Sequence, residues 1–494
     1  MAINSDLHIE HYKPNWKITI YAKNLDKPIV LDRKYIQEST NDIIKVSTQK
    51  QINQVGTFSI SFVARESKTD PEREESLLHE LMSEWFNLDD DISNWYEKLS
   101  PNDLVVIQLG RDKSQAIEGD LKNPYIVFIG LISKVSKSLT FGGDMKPKRQ
   151  ITIEGMDLGK MLLHTSVYKN DFATAWKDLV QTIQIPNDNF NYPSDSPINI
   201  NTFLNMLLSA VVPTKITTVK MAVERVLGYF YTLRPSLGLQ VFNQPIQNLL
   251  KYDVDAFKLD NGKEPEIQYF MALSPFMLTI WDLLLKYAVP QPYNEIILRE
   301  SKEKVETTLL VRGIDKYLDY NTFGLKDSAN KTKTHKLSEN DLGIATYDLS
   351  RSDEQAYSIW TMSPISPTAG SLDIGNLTIQ GMAWCPANMA KYGYKIFQNT
   401  SNYYIYPGEQ ATALTLPQDT VRSIAKLTAL LPEQEQGSLI VKGNSDFQIG
   451  DILEITYNHK QQKMRYYIYG VQHDFTPFYG SWITILTVTR GTKV

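Results

Sequence analysis

The sequence predicts an α+β fold, mainly antiparallel β, and three features carry that expectation. Alternating strand patterns crowd both ends of the 494-residue chain, helix-periodic segments fill the stretch between, and Gly, Asn, Asp and Lys turns separate the C-terminal strands. A chain this long exceeds one ordinary core, so two to four domains are expected.

In the first third, Lys17–Tyr21 alternates, and Thr57–Phe62 alternates strictly, setting Phe58, Ile60 and Phe62 on one face. Asp103–Leu109 follows, then a long pair, Tyr125–Leu139 and Gln150–Glu154, joined by the turn-rich tip Phe141–Pro147. Five or six antiparallel strands of this kind close into a small barrel, placed at 1–165. Between them Glu74–Leu99 is acidic and helix-periodic, with Leu77, Leu81, Trp85 and Phe86 among the residues on one side. It reads as an amphipathic helix, inserted at 74–99 and packed on its own barrel.

A helical connecting domain is placed at 166–290, where Phe172–Ile183, Ile200–Val212 and Pro275–Val289 have helical spacing of large apolar residues. Met271–Pro290, the most apolar stretch, carries Asp282 and Lys286 and reads as a core or interface helix rather than a membrane span. Glu295–Leu298 and Thr307–Val311 are expected as early strands of a second barrel, in a first part at 291–362. Ser438–Lys442, Ile452–Tyr457, Tyr466–Val471 and Trp482–Thr489 form its last part at 437–494. An inserted α/β segment lies between, at 363–436, and the polar run Lys326–Lys336 reads as a mobile loop.

Composition narrows the function. The net charge of −5 provides no basic field to hold nucleic acid or anionic lipid. Cys385 is the single cysteine, so neither a disulfide framework nor a Cys-rich metal site exists. The N-terminus lacks the basic-then-apolar pattern of a secretory leader. Twenty-seven tyrosines suit large subunit interfaces, where an aromatic body and a polar tip are both useful.

No motif for chemistry stands out. None of the histidines (His8, His11, His79, His164, His335, His459 and His473) has the helical spacing that sets two imidazoles on a zinc ion. Neither a GxSxG elbow nor a GxxxxGK phosphate loop is present. Asp89–Asp91 and Glu433 with Glu435 read as solvated surface, although a glycosidase pair remains open. Cys385 with a distant His is the other enzymatic option, without the glycine-and-tryptophan context of a peptidase thiol. Lys134, Lys137, Lys146, Lys148 and Arg149 gather on one hairpin. They read first as lysines guarding a strand edge, second as contacts to a neighbour's acidic surface or nucleic acid.

Four segments, in order, resemble the baseplate hub family of phage tails, whose relatives occur in tailocins and type VI secretion spikes. Tyr125–Ile132, with Gly130, precedes Gln150–Leu158, with Gly155 and Asp157, as an F-x-G-x-I strand paired with one ending in G-x-D. Gly130 and Gly155 would relieve the wall where the strand bends, and Asp157 would cap the helix carrying Met161, Leu162 and Leu163. Tyr293–Leu298 and Thr308–Arg312 follow, then Asp348–Asp353 as an L-x-R-S-D stretch, then Gly437–Gly491, containing Ile449-Gly450-Asp451. The usual proline after Arg312 is missing, and the stretch from Ser363 to about Gln436 is enlarged.

The resemblance implies two tail-tube-like barrels per chain and a homotrimer whose six barrels form a pseudo-sixfold ring. Such a structural hub joins the tail tube, or its initiator, to a central spike, with wedge or other baseplate proteins outside, and continues the DNA channel. It implies no enzyme activity, catalytic residues, cofactor, metal, sequence-specific nucleic-acid binding or membrane insertion. The setting is the virion tail baseplate, assembled in the host cytoplasm. Because the chain ends at Val494, soon after its last strands, spike and cell-wall hydrolase are expected as separate proteins. The alternatives are a tail-tip cell-wall hydrolase and a glycan-binding tail component, the latter on Trp360, Trp384 and Tyr403-Tyr404.

Overall fold

The computed structural model describes residues 14–23, 25, 27–32, 43–63, 96, 99–110, 124–141, 147–169, 214–232, 240–241, 244–262, 264, 266–270, 276–289, 294–322, 324–326, 332–339, 344–364, 381–401, 415–457, 462–477 and 481–494. The expected helices at 74–99, Phe172–Ile183 and Ile200–Val212 lie outside the described residues, apart from positions 96 and 99.

The N-terminal strands are β1 (Asn15–Tyr21), β2 (Ile29–Asp32), β3 (Ile43–Gln51), β4 (Thr57–Val63), β5 (Leu104–Gly110), β6 (Tyr125–Phe141) and β7 (Pro147–Asp157). All their pairings are antiparallel, in the order β3-β4-β7-β6-β5-β1-β2. The C-terminal strands are β17 (Thr334–Ser338), β18 (Ile344–Ser350), β22 (Glu435–Lys442), β23 (Ile452–Tyr457), β24 (Gln462–Thr476) and β25 (Ser481–Lys493). Here β18-β22-β25-β24 runs antiparallel, and β23 pairs β24 and, in parallel, β17.

Each half was expected to close on itself, and the described strands instead form one path. β24 gives one edge to β25 along its length and divides the other. Gln462–Tyr467 pairs with β23, and Gly470–Phe475 pairs with β3 of the N-terminal half. The result is a curled thirteen-stranded sheet whose path ends at β2 and β18. Half of the second long hairpin therefore belongs structurally to the first half.

The middle of the chain mixes short strands with helices: β8 (Ser166–Lys169), β9 (Thr214–Thr218), β10 (Gln240–Val241), β11 (Gln244–Pro245), β12 (Leu250–Asp255), β13 (Glu266–Phe270) and β14 (Phe276–Thr279). The helices are α1 (Gly159–His164), α2 (Val219–Thr232) and α3 (Ile280–Ala288). The helix read from Pro275 starts later, because Phe276–Thr279 pairs with β8 as a strand. Thr279 then starts α3 with a capping box, its Oγ1 accepting from the Asp282 N–H at 3.0 Å and its own N–H donating to the Asp282 carboxylate at 3.2 Å. Among the described residues no helix is long and apolar enough to cross a membrane.

β15 (Asn294–Glu300) and β16 (Thr307–Gly313) hold the two apolar runs expected in the second barrel. They pair instead with β12, in a separate three-stranded sheet β12-β16-β15. A further sheet, β20 (Gly381–Trp384)-β19 (Ile359–Pro364)-β21 (Ile396–Ser401), packs with α5 (Thr415–Thr428), and α4 (Pro386–Tyr392) lies between β20 and β21 in the chain. Its central strand begins at Ile359, so this α/β unit starts before position 363. The second part of the polar run Lys326–Lys336 enters β17, where His335 is buried; 327–331 lie outside the described residues.

Three buried clusters hold these parts together. One joins the outer face of the N-terminal strands to α2, α3, β15 and β16; α2 contributes Val219, Val223, Val226 and Phe230 at helical spacing. A second fills the C-terminal half. The third lies inside the N-terminal curl and takes Phe475 from β24 and Trp482 from β25. Within that curl the Phe58 ring lies against Gly130 and Gly155, where a methyl on either glycine would overlap it.

Candidate functional site

Two buried polar clusters fasten the β12-β16-β15 sheet to the long sheet. At the first, Lys50 of β3 donates to Glu300 of β15 as a buried ion pair and to the Leu298 carbonyl at 3.1 Å, its ammonium 5.1 Å from the Phe128 ring centroid. Asp157, at the end of β7, accepts the Gly56 N–H at 2.7 Å and the Gly159 N–H at 2.8 Å. The expected capping by Asp157 is therefore present in altered form. Leu158 is the N-cap residue, while the carboxylate receives the N–H of the first helical residue and ties it to the β3–β4 turn. Burial pushes the Asp157 carboxyl up to about 7; Lys50 opposes that shift and Glu300 adds to it. His473 of β24, also facing Lys50, is pushed down to about 4 by burial and bonds Thr484 Oγ1 at 3.0 Å.

The second cluster centres on Arg312, which is 1% exposed. Its guanidinium donates to Thr332 Oγ1 at 2.7 Å, the Gly450 carbonyl at 3.0 Å and the Tyr467 hydroxyl at 2.6 Å, and lies 3.9 Å from Glu295. Glu295 in turn accepts from Tyr317 at 2.5 Å and from Tyr467, and the two tyrosine rings stack 4.2 Å apart. Burial raises both phenols above their ordinary range, so they stay protonated as donors. Gly450 reaches Arg312 because its φ of +79° carries the backbone through a left-handed turn. Beside it Asp451 accepts from Arg299 and His335, each at 3.0 Å. The Thr308–Arg312 and Ile449-Gly450-Asp451 segments are thus two sides of one buried joint.

Above Glu295 and Tyr467 lies a half-open cavity of about 740 Å³. The β18-β22-β25-β24 face forms one wall and Tyr357 and Phe397 of the α/β unit form the other. The Gly437–Glu435 step of β22 faces an extra residue in β25, and Arg490 occupies this bulge with a left-handed φ of +59°. Arg490 also lines the cavity. In the sequence Arg490 stands inside the matched stretch Gly437–Gly491, in an R-G turn and without a role of its own; the shift of alternation near Thr489 is the local mark of the bulge.

The weighed enzymatic groups do not converge. Glu433 is exposed and engaged by Lys391 and Tyr392, while Glu435 accepts from Arg351 at 3.1 Å and Tyr466 at 2.8 Å. Cys385 is half-buried at the start of α4, against the second cluster. Among the described residues, no group of three His, Cys, Asp or Glu could hold a metal. His164 is exposed; Asp89–Asp91, His8, His11, His79 and His459 lie outside the described residues. On the basic hairpin, Lys134 is exposed 3.9 Å from Glu154, Lys137 is exposed, and Lys146 lies outside. Trp360 is buried, Trp384 is 67% exposed, and Tyr403-Tyr404 lie outside.

No protein-family model and no curated protein matches this sequence. Solved structures do. A 43 kDa tail protein of prophage MuSo2 from Shewanella oneidensis is similar over 96% of this chain and 98% of its own, at 12% identity and a TM-score of 0.47. A tail protein from Neisseria meningitidis MC58 is similar over 96% of each chain, at 10% identity and 0.46. An E. coli component of the type VI secretion system is similar over 96% of this chain and 76% of its own, at 8% identity and 0.39. The structural neighbours of this chain are tail proteins and spike-related secretion proteins.

Proposed function

We propose that this chain is a structural baseplate hub of a phage tail or tailocin. Three copies form a pseudo-sixfold ring that joins the tail tube to a central spike and continues the DNA channel. Each half of the long sheet is one tube-like unit of that ring. The unit over 166–290 connects them, and the α/β unit projects from the second. Wedge or other tail proteins contact the outside.

The observation that carries this reading is the β3–β24 pairing. It fuses two β halves, each with a long hairpin (β6–β7 and β24–β25), into one sheet with path ends at β2 and β18. The unlike path ends β2 and β18 suit a head-to-tail ring, in which one copy's β18 meets the next copy's β2. The four-segment sequence resemblance supports the same reading, and the net charge of −5, tripled in the ring, suits a channel that does not retain DNA.

The test is the native mass by light scattering at tens of micromolar, roughly the range where weak self-association shows. A trimer, alone or with the neighbouring spike protein, is the expected result. A chain that stays monomeric in both conditions overturns the hub. Release of peptidoglycan fragments by the purified chain would favour the tail-tip hydrolase instead.

A further inference from the structure

We propose that the cavity between the β18-β22-β25-β24 face and the α/β unit binds a saccharide carrying a carboxylate, with Arg490 as the group that receives the acid. The inference stands apart from the hub reading. Three observations carry it. First, Arg490 sits in a bulge with φ of +59°, a conformation costly for a non-glycine residue and placed where a sheet re-aims a side chain. Second, the guanidinium has five N–H donors, and among the described residues its one hydrogen bond is to the Leu427 carbonyl at 3.4 Å. A planar fork with spare donors in a concave site matches a carboxylate.

Third, the rest of the lining suits a sugar better than a peptide. The inner strands β22, β25 and β24 are hydrogen-bonded on both edges, so among the strands lining the cavity a backbone ladder for an extended chain is open at β18 alone. What the cavity offers is side chains: Gln355 and Gln436 as paired donors and acceptors, Tyr357 and Phe397 as aromatic surface, and the carboxylates of Glu295 and Asp348 as further acceptors for hydroxyl groups. Carboxamides fix hydroxyl groups in both senses, and aromatic faces cover the apolar side of a sugar ring. The volume of about 740 Å³ lies within the ordinary range for a small-ligand site.

Calorimetric titration of the full chain tests this, with galacturonate and N-acetylmuramate as acidic probes and glucose and N-acetylglucosamine as neutral ones. The acidic sugars should bind at least about tenfold tighter than the neutral ones. Arg490→Asn, a residue that tolerates the left-handed backbone, should erase that preference. Tyr357→Ala, on the opposite wall, should weaken both kinds alike by about tenfold, which keeps the test independent of the bulge. Silence with both acidic sugars, or a preference unchanged in Arg490→Asn, overturns the proposal. Binding of a tetraglutamate peptide in place of the sugars also overturns it and assigns the cavity to a protein partner.

Discussion

The Phe475 ring, from the last turns of β24, packs 6.0 Å from Trp16 of β1, although 459 positions of chain separate them. Both are at most 2% exposed, and Trp482 joins them from β25. The C-terminal hairpin therefore completes the core of the N-terminal half. Phe475→Ala should cost about 3–5 kcal/mol, the range for deleting a buried aromatic ring. Chemical denaturation followed by tryptophan fluorescence reads this directly, and a loss below about 1 kcal/mol would show that the ring is not part of that core.

The Arg312 joint makes a different prediction, because here a charge rather than a volume is removed. Arg312→Leu strands Glu295 beside two tyrosines and should cost about 3–5 kcal/mol. Adding Glu295→Gln removes the orphaned charge and should restore part of the loss. A double-mutant cycle that came out additive would mean that the two groups do not act as a pair.

Asp157 and His473, both facing Lys50, have opposite pH signatures. The folded pKa of His473 is lowered from 6.5 to about 4, so its contribution is full above about 6.5 and is lost as the pH falls toward 4. The folded pKa of Asp157 is raised from 3.8 to about 7, so its contribution is full below about 4 and is lost as the pH rises through 7. Relative to the wild type, His473→Gln should gain stability on acidification, by up to about 3 kcal/mol. Asp157→Asn should lose it over the same window. Denaturation curves between pH about 4 and 8 separate the two, and parallel curves for both variants would refute the assignment.

Much of this fold was legible in the sequence, because strict alternation leaves little choice. Thr57–Phe62, the long pair around Gly130 and Gly155, and the four C-terminal strands all fall within observed strands. The seam strand β3 was missed for a physical reason. Its inward row includes Val46, Thr48 and Lys50, and a buried lysine breaks the apolar alternation that marks a strand. The Arg312 joint shows the same limit. Its segments were noticed as strand and turn, but the contact between Arg312 and Gly450 spans 138 positions, which local periodicity does not encode. The helix α2, in contrast, had a clear period and went unread beside stronger apolar neighbours.

The edge strand β18 yields the last prediction. Its seven residues, Ile344–Ser350, hold no lysine, arginine or proline, and Ala345, Thr346, Tyr347, Asp348 and Ser350 are all exposed. Edges left without such guards pair readily with other strands. Among the described residues β18 pairs only β22, so its outer row is the natural acceptor for the next copy in the proposed ring. Thr346→Lys places a charge on that row and should cut self-association at least about tenfold, since an edge lysine opposes strand addition. Because the side chain is exposed, unfolding should shift by no more than about 0.5 kcal/mol. Light scattering and a denaturant melt on the same sample separate these effects. A variant that still forms the wild-type oligomer would move the subunit contact away from β18 and leave the edge to another partner.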